Sequence, residues 1–396
     1  MTMPSQGRGP SGTVRVKHGR YYPVVRLYVE GARRERWLDG HDTKTAAKAA
    51  LRKALAAQDQ GTWTPPTETM TVGQYLEARW LPSLHLRETT MAGYSRHCKV
   101  YAVPQLGGIR LDRLSAADLA TFYNSLRKQG ARGKPLSENT VARVHATISR
   151  ALADAVEMGL RATNPAKNLP RGARPKQGRA DDKELRYWSA EQLTAFLAVV
   201  CEEEPRYYPP LRLAAFSGMR RGEIIGLRWQ DVDLDGAHLA VRQTITTADD
   251  LERGTGAKIV TGPPKSGKGR RIDLDPETVA VLRSWRLQQA QDRLALGTWP
   301  DHGLVFSRED GALVHPGNLS TIFDRLVRVS GLPRLTLHGL RHTHATILVA
   351  SGVAIKAVSE RLGHATIQIT LDLYSHVTPG MQAQAVAAFS TAMGGA

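Results

Sequence analysis

The chain has 396 residues and a mass of 43.4 kDa, so we expect two or three domains, and a hydrophobic content of 41% excludes global disorder. It contains no apolar run near the ~18 residues of a membrane span and no signal peptide, and its two cysteines, Cys98 and Cys201, are too few for a disulfide framework or a cysteine-based zinc site. We therefore expect a soluble, intracellular protein. Lys and Arg number 54 against 37 Asp and Glu, and the excess in the first 184 residues favours a nucleic-acid partner over a membrane surface.

The amino-terminal region has the pattern of a small sheet followed by a helix. Residues 13–40 alternate apolar and polar runs that break at Lys17-His18-Gly19 and Glu30-Gly31, which predicts three antiparallel strands. A helix is expected from Thr43 or Thr45 to about Gln58, and residues 63–67 predict a linker. This βββα module is basic, and its candidate DNA-binding residues are Arg33, Arg34, Arg36, Lys44 and Lys48. The alternative is that these residues form only the solvated surface of a structural domain.

Helical spacing dominates the next region, from residue 71 to about residue 166. Helices are predicted from Thr71 and over 88–103, 115–129 and 137–159, with Ser115 and Ser137 as N-caps. A basic Pro/Gly-rich stretch that begins at Pro170 predicts a second linker. Beyond it, residues 185–396 mix helices with a hairpin region at 237–275 and end in an Ala-rich helical tail.

Two motifs in this last region place an arginine three positions from another residue with a polar side chain. In the first, Glu223 follows Arg220 by three positions, so the two could pair on a new helix and present a fixed guanidinium to a phosphate. Taken alone, the pair also fits an ordinary salt bridge at a helix start. In the second, His338 and Arg341 share a helical face; a metal site of nearby histidines is disfavoured because the Glu of a His-Glu-x-x-His motif is absent.

The run 262–271 imitates a phosphate-binding loop, but Gly269 replaces the Ser or Thr that would hold magnesium. The residues after it continue as a strand, so we reject ATP binding and expect a basic turn that carries Lys265. Farther on, Tyr374 follows His364 by ten residues. Neither residue indicates a function by itself, because buried structural tyrosines are common.

In this order, the residues closely resemble the catalytic set of the tyrosine recombinases, the phage-type integrases. The matching set is Arg220, Lys265, His338, Arg341, His364 and Tyr374. The flanking sequences resemble those of the family as well, as in Gly-Met-Arg-Arg-Gly-Glu and His-Gly-Leu-Arg-His-Thr-His, and the resemblance covers residues 185–380. The lysine is the one open position, because Lys258 and Lys268 also lie in the hairpin region.

The resemblance implies a multidomain fold. It implies a βββα arm-site DNA-binding module in residues 1–64 and an all-α, SAM-like core-binding domain in 65–170. A linker at 171–184 would lead to a mainly α (α+β) catalytic domain with a small antiparallel sheet and a C-terminal tail helix, in 185–396. The tail would pack on a neighbouring protomer; an ordinary helix packed on its own core is the alternative.

The resemblance also implies the chemistry. Tyr374 would attack the scissile phosphate, form a 3′-phosphotyrosyl bond and release a 5′-hydroxyl. Arg220 and Arg341 would clamp the non-bridging oxygens, and Glu223 would orient Arg220. His338 would accept the tyrosine proton or hydrogen-bond the phosphate. Lys265 would protonate the leaving 5′-oxygen, and His364 would donate to a non-bridging oxygen. No metal, ATP or other cofactor is implied.

The implied function is a site-specific integrase that integrates or excises a mobile element, such as a viral genome, in the bacterial cytoplasm or nucleoid. Its expected partners are double-stranded attachment sites, three further copies in a homotetramer, a host DNA-bending protein and an excision factor. The alternatives are an Xer-like resolvase of chromosome or plasmid dimers, which usually lacks a 13–58 module, a non-catalytic architectural DNA-binding protein, and a type IB topoisomerase.

Overall fold

The computed structural model describes residues 11–29, 32–38, 40–59, 70–130, 133–176, 186–249, 257–265, 267, 269–300, 302–364, 366–368, 370–371, 386, 389–391 and 393–394. The chain divides into two compact units between Gly178 and Arg179. It is rich in helices and has small antiparallel sheets, as expected. The finer division, with residues 1–64 apart from 65–170, stays a prediction. None of the helices in the described ranges combines the length and the apolar character that a bilayer crossing requires.

The first unit begins with the predicted three-stranded sheet. Its strands, in sheet order, are β1 (Ser11–Lys17), β2 (Arg20–Val29) and β3 (Ala32–Trp37), all antiparallel. His18 and Gly19 join β1 to β2 in the left-handed region, with φ of 50° and 74°, the conformation that a two-residue hairpin turn requires. Helix α1 (Lys44–Asp59) follows Thr43, whose hydroxyl accepts a hydrogen bond from the backbone N–H of Ala46 at 3.2 Å.

The rest of the first unit is helical. Its helices are α2 (Val72–Gln74), a π-helical turn (Tyr75–Trp80), α3 (Leu81–Ser83), α4 (Glu88–Arg96), a second π-helical turn (His97–Ala102), α5 (Val103–Leu106), α6 (Ala116–Lys128), α7 (Glu138–Glu157) and a 3₁₀ turn (Pro165–Asn168). The predicted caps are confirmed: the Ser115 hydroxyl accepts from the Asp118 N–H and the Ser137 hydroxyl from the Thr140 N–H.

Buried aromatic side chains hold this helical part together, and Tyr75 and Trp80 also bond to polar atoms of α7. The Tyr75 hydroxyl donates to the Ala151 carbonyl at 2.7 Å, and Trp80 Nε1 donates to Asp154 Oδ2 at 2.6 Å. Both bonds join the first helical turns to α7 and satisfy polar atoms that would otherwise be buried without partners.

The two predicted linkers stay predictions. The linker at 63–67 lies outside the described residues. Only residues 171–176 of the linker at 171–184 are described: the Ala173 N–H donates to the Pro170 carbonyl in a local turn, and the Lys176 N–H donates to Glu138 Oε1 on α7 at 3.1 Å. Basic, Pro- and Gly-rich composition indicates a break in the helical pattern, but it does not exclude packing.

The second unit carries the remaining elements. Its helices are α8 (Ala190–Glu203), a 3₁₀ turn (Pro205–Tyr207), α9 (Tyr208–Ser217), α10 (Arg221–Ile225), a 3₁₀ turn (Trp229–Asp231), α11 (Pro276–Leu296), α12 (Pro316–Val329), α13 (Leu337–Ala350) and α14 (Ile355–Leu362). Its strands are β4 (Val232–Asp233), β5 (His238–Val241), β6 (Thr244–Asp249), β7 (Ala257–Gly262) and β8 (Arg270–Asp273).

The hairpin region predicted at 237–275 contains two small sheets. Strands β4, β5 and β8 form one sheet in that order, and β6 pairs with β7 in the other. In the core of this unit, α8 packs against α9 and α12, and three fully buried rings meet, with centroid distances of 4.9 Å for Trp188–Phe196 and 5.1 Å for Phe196–Phe323. Within the predicted tail, the described residues 389–391 are helical, and Phe389 among them is exposed.

Truncating one of the three buried rings tests this core. Phe323→Ala is expected to lower the free energy of unfolding by ~3–5 kcal/mol, because it removes a buried ring and leaves a cavity between Trp188 and Phe196. Urea unfolding followed by circular dichroism measures the change. Leu294→Ala is the control, since Leu294 is 83% exposed and its loss should matter by less than ~0.5 kcal/mol. Equal losses in the two variants would contradict this description of the core.

Candidate active site

Arg220 lies where the chain reverses between α9 and α10. Gly218 has a φ of 62°, a conformation that glycine adopts without strain, and a Cβ there would lie 2.5 Å from Leu362. Arg220 then caps α10 and pairs with Glu223, as predicted: Nη1 donates to Oε1 at 2.8 Å and the backbone N–H donates to Oε2 at 2.9 Å. The short helix therefore fixes the guanidinium of Arg220 against a buried carboxylate.

Glu223 has a second cationic partner, Arg270 at the start of β8. The Nη1 and Nη2 atoms of Arg270 donate to Oε1 and Oε2 of Glu223 at 3.0 and 2.7 Å. Burial alone would raise the pKa of Glu223, but the hydrogen bonds and charge of Arg270, together with Arg220, lower it to about 2. The carboxylate is therefore ionised at neutral pH and is shared by two arginines.

Arg341 lies on α13 and is 4% exposed. Its Nη1 donates to the Gly218 carbonyl at 2.8 Å, which ties α13 to the turn before Arg220, while its Nη2 is buried with no hydrogen-bond partner among the described residues. Burial and then the charge of Arg220 lower the pKa of Arg341 to about 9, so it stays protonated at pH 7. A buried cation with an unused donor favours an anionic ligand at that position.

The three histidines of α13 have different environments. His338 is exposed, and its ring meets the ring of His342 edge to face with centroids 4.9 Å apart. Loss of water contact on its packed side, and then the charges of Arg341 and Arg220, lower the pKa of His338. Burial first, and then His338 and Arg341, lower the pKa of His342 to about 4. Both rings are therefore neutral at pH 7.

His344 faces the other way. Its Nδ1 lies 2.9 Å from the Ala215 carbonyl and must carry the proton, so its Nε2 accepts from Arg361 Nε at 3.1 Å. Both ring nitrogens are thus occupied. Among the described residues, no group of three or more His, Cys, Asp or Glu side chains is arranged to hold a metal ion.

His364 follows α14 and is joined to Arg220 through the backbone. Gly363 ends the helix with a φ of 67°, and its carbonyl accepts from Arg220 Nη2 at 3.1 Å. His364 Nδ1 lies 2.8 Å from the hydroxyl of Thr370. Burial, followed by the charges of Arg341 and Arg220, lowers the pKa of His364 to about 4, so this ring is neutral as well.

The structure therefore brings most of the sequence-predicted site together. The clustered residues are Arg220, Glu223, His338, Arg341 and His364. Lys265 is exposed on the turn between β7 and β8, and the strand predicted after this turn is present. Lys258 is exposed on β7, whereas Lys268 and Tyr374 lie outside the described residues.

The candidate DNA-binding residues lie in the first unit. Arg33, Arg34 and Arg36 belong to strand β3. Lys44 and Lys48 are exposed on α1.

The sequence analysis missed Arg270 and Arg361. One signal for Arg270 was available: in a strand, residues two apart share a face, and Ile272 had to face the core. Arg270 therefore points inward with Ile272, whereas Arg271 is 63% exposed and pairs with Asp273. No local pattern indicates that Arg361 binds His344.

Comparisons with known proteins agree with this geometry. The model of the phage integrase family matches residues 186–381. A XerC-like tyrosine recombinase of Caldanaerobacter subterraneus is 27% identical over 310 residues, covering 76% of this chain and 77% of the relative. The integrase of Mycobacterium phage L5 is 26% identical over 346 residues, covering 84% and 85%.

Solved structures show the same fold. The Tn1549 transposon integrase in complex with a circular intermediate DNA has a TM-score of 0.65 at 20% identity and covers 81% of this chain and 99% of that chain. A lambda integrase dimer bound to a COC′ core site has a TM-score of 0.53 at 16% identity and covers 91% and 93%. The motif set, the family match and these relatives agree: the chain belongs to the tyrosine recombinase family.

Proposed function

We propose that this tyrosine recombinase, a site-specific DNA recombinase, cuts and rejoins DNA through a 3′-phosphotyrosyl intermediate and thereby integrates or excises a mobile element. The observation that carries the proposal is the cationic cluster in which Arg220 is fixed by Glu223 and Arg341 keeps a buried Nη2 that no described residue pairs. A scissile phosphate is the anion that fits such a cluster, because attack on it concentrates negative charge on two non-bridging oxygens.

Arg220 and Arg341 would clamp the two non-bridging oxygens. Both guanidiniums are held by the protein before DNA arrives, Arg220 by Glu223 and Arg341 by the Gly218 carbonyl. Donors that need no rearrangement during the reaction stabilise developing charge most effectively. His364, held by Thr370, would add a neutral hydrogen-bond donor.

Proton transfers complete the reaction. Tyr374 needs a base, because its pKa is ordinarily about 10, and a His338 whose pKa is lowered is unprotonated at pH 7 and able to accept the phenol proton. The phenolic oxygen bonds to phosphorus, the bond from phosphorus to the 5′-oxygen breaks, and Lys265 would protonate that oxygen. The new ester keeps the phosphodiester's energy, so a 5′-hydroxyl can reseal the strand without ATP. Fixed arginines supply the charge that a metal ion supplies elsewhere.

Exchange between two duplexes requires four strand cuts, which suggests four copies of the chain on double-stranded attachment sites. A lambda integrase structure of related fold is described as a tetramer bound to a Holliday junction, with a TM-score of 0.51. The proposal includes the tail as a contact between copies, and a host DNA-bending protein and an excision factor as accessory partners.

An Xer-like resolvase is the second candidate, favoured by the similarity to the XerC-like recombinase. The sheet and helix at residues 11–59 favour the integrase instead, since a basic βββα module suits a second class of DNA site. We propose that Arg33, Arg34, Arg36, Lys44 and Lys48 contribute to binding there.

Removing the nucleophile tests the proposed chemistry. Tyr374→Phe should bind an attachment-site duplex normally but should lose covalent capture of a nicked substrate by more than ~1000-fold, because phenylalanine has no oxygen to form the ester. Denaturing gels measure the adduct, in EDTA and without ATP. Tyr187→Phe is the control, since Tyr187 is an exposed tyrosine of the same unit and should leave capture unchanged. Capture that persists in Tyr374→Phe would move the nucleophile elsewhere; wild-type capture that requires metal or ATP would contradict cofactor independence.

The leaving-group role of Lys265 has a separate test. Lys265→Ala should slow cleavage of an ordinary phosphodiester by ~100-fold or more, because the 5′-oxygen then leaves without a proton. A 5′-bridging phosphorothiolate, whose sulfur leaves as a thiolate, should restore most of the rate. Rates of adduct formation are compared with those of Lys258→Ala and Lys268→Ala. A larger loss at Lys268 would reassign the role.

Deleting residues 1–64 separates the integrase from the resolvase. The shortened chain should still form the adduct at a core site, because the clustered residues all lie beyond residue 185. It should lose ~10-fold or more of its affinity for accessory sites, since it lacks a module with 12 basic and 5 acidic residues. Gel shifts at fixed salt measure both. Unchanged binding throughout would favour the resolvase.

A further inference from the structure

Arg270 joins its own strand to two other parts of the candidate site. Its two Nη atoms bind the two oxygens of Glu223, and its Nε donates to the Arg361 carbonyl in the last turn of α14 at 2.9 Å. Strand β8 is thereby joined to α10, which follows Arg220, and to the helix end that precedes His364. These are charge-assisted bonds of good length, and two of them form the parallel pair that arginine makes with a carboxylate.

The same side chain is poorly placed to bind DNA directly. Only 10% of it is exposed, and all three of its nitrogens already donate to acceptors of the protein. The backbone of Gly363 passes so close that a Cβ there would lie 2.8 Å from Arg270 Cδ. Arg270 is therefore enclosed by the helix end, and any effect on the reaction must pass through the groups that it holds.

Glu223 transmits that effect to Arg220. Arg220 Nη1 uses only Oε1, and Oε2 is bonded by the Arg220 backbone N–H and by Arg270. If Arg270 were absent, a buried carboxylate would keep Arg220 as its one guanidinium partner and would be free to turn toward it. A displacement of about 1 Å in a clamping group is enough to slow a reaction by ~100-fold.

We propose that Arg270 is a positioning residue for strand cleavage: by fixing both oxygens of Glu223, it sets the orientation in which Arg220 meets the scissile phosphate. The proposal rests on the proposed function, because it assigns to Arg220 the role of a phosphate clamp. It concerns Arg220 and not the leaving group, although Lys265 lies five residues before Arg270, on the connection that leads into β8.

The test compares Arg270→Met and Arg270→Lys with Arg271→Met. Arg271 is a matched control, since it is the next residue of the same strand, carries the same charge and is 63% exposed. Single-turnover adduct formation at saturating DNA is measured with ordinary and 5′-bridging phosphorothiolate substrates, and DNA affinity is measured separately. Both Arg270 variants should lose ~30- to 100-fold in rate, since lysine lacks the planar fork, while affinity stays within about threefold.

The loss should persist on the phosphorothiolate, because a better leaving group does not replace a misplaced clamp. If the rate of adduct formation recovered on that substrate, as is expected for Lys265→Ala, the assignment to Arg220 would be overturned. A loss in Arg271→Met as large as in Arg270→Met would also overturn it, since it would reflect only the charge of the strand.

A double variant covers the case in which Arg270→Met destabilises the chain by leaving the Glu223 charge poorly paired. Glu223→Gln removes that charge, so Arg270→Met added to Glu223→Gln should cost less than about threefold beyond the single Glu223→Gln. Multiplicative losses would mean that Arg270 does not act through Glu223. If the wild-type chain forms no adduct, the proposed function fails; if it does and the Arg270 variants match its rate, only the positioning role fails.

Discussion

The carboxylate of Glu223 lies buried between the guanidiniums of Arg220 and Arg270, and the candidate site is arranged around it. A buried carboxylate without cations takes up a proton, whereas this one has a pKa of about 2 and remains charged. One negative charge therefore holds together the start of α10 and the start of β8. Through the carbonyls of Arg361 and Gly363, the same two arginines also hold the end of α14. Segments far apart in the sequence meet because each brings a donor to a shared acceptor.

The number of residues between two bonded partners decided whether their interaction could be predicted from the sequence. The caps at Ser115 and Ser137 and the hairpin turn at His18-Gly19 are local, and their residue types indicate them directly. The Arg220–Glu223 pair spans three residues and was equally readable. The Arg270–Glu223 bonds span 47 residues and the Arg220–Gly363 bond spans 143, so no spacing rule encodes them. The set of candidate residues came from resemblance to a family; their mutual geometry came from the fold.

The three histidines of α13 are close in the sequence but have different environments in the fold. Three histidines within seven residues suggest a metal site, yet a helix turns about 100° per residue and distributes them around its surface. His338 and His342 lie one turn apart and touch, whereas His344 bonds the Ala215 carbonyl and Arg361. Nearby guanidiniums favour the neutral form of all three rings. A neutral His338 is the state that a proton acceptor needs, so the arginines that attract a phosphate also prepare the base.

Among the described residues, the charges of the cluster do not balance, and this imbalance connects stability with function. In that part of the chain, Arg220, Arg270 and Arg341 bring three positive charges and Glu223 brings one negative charge. Mutual repulsion among the arginines, and an Arg341 Nη2 that has no partner in the described ranges, disfavour the folded state in the absence of an anion. A phosphodiester entering the site would supply the missing acceptor and the missing negative charge together. Because folding has already brought the cations together, their attraction is fully available as charge develops on the phosphate in the transition state.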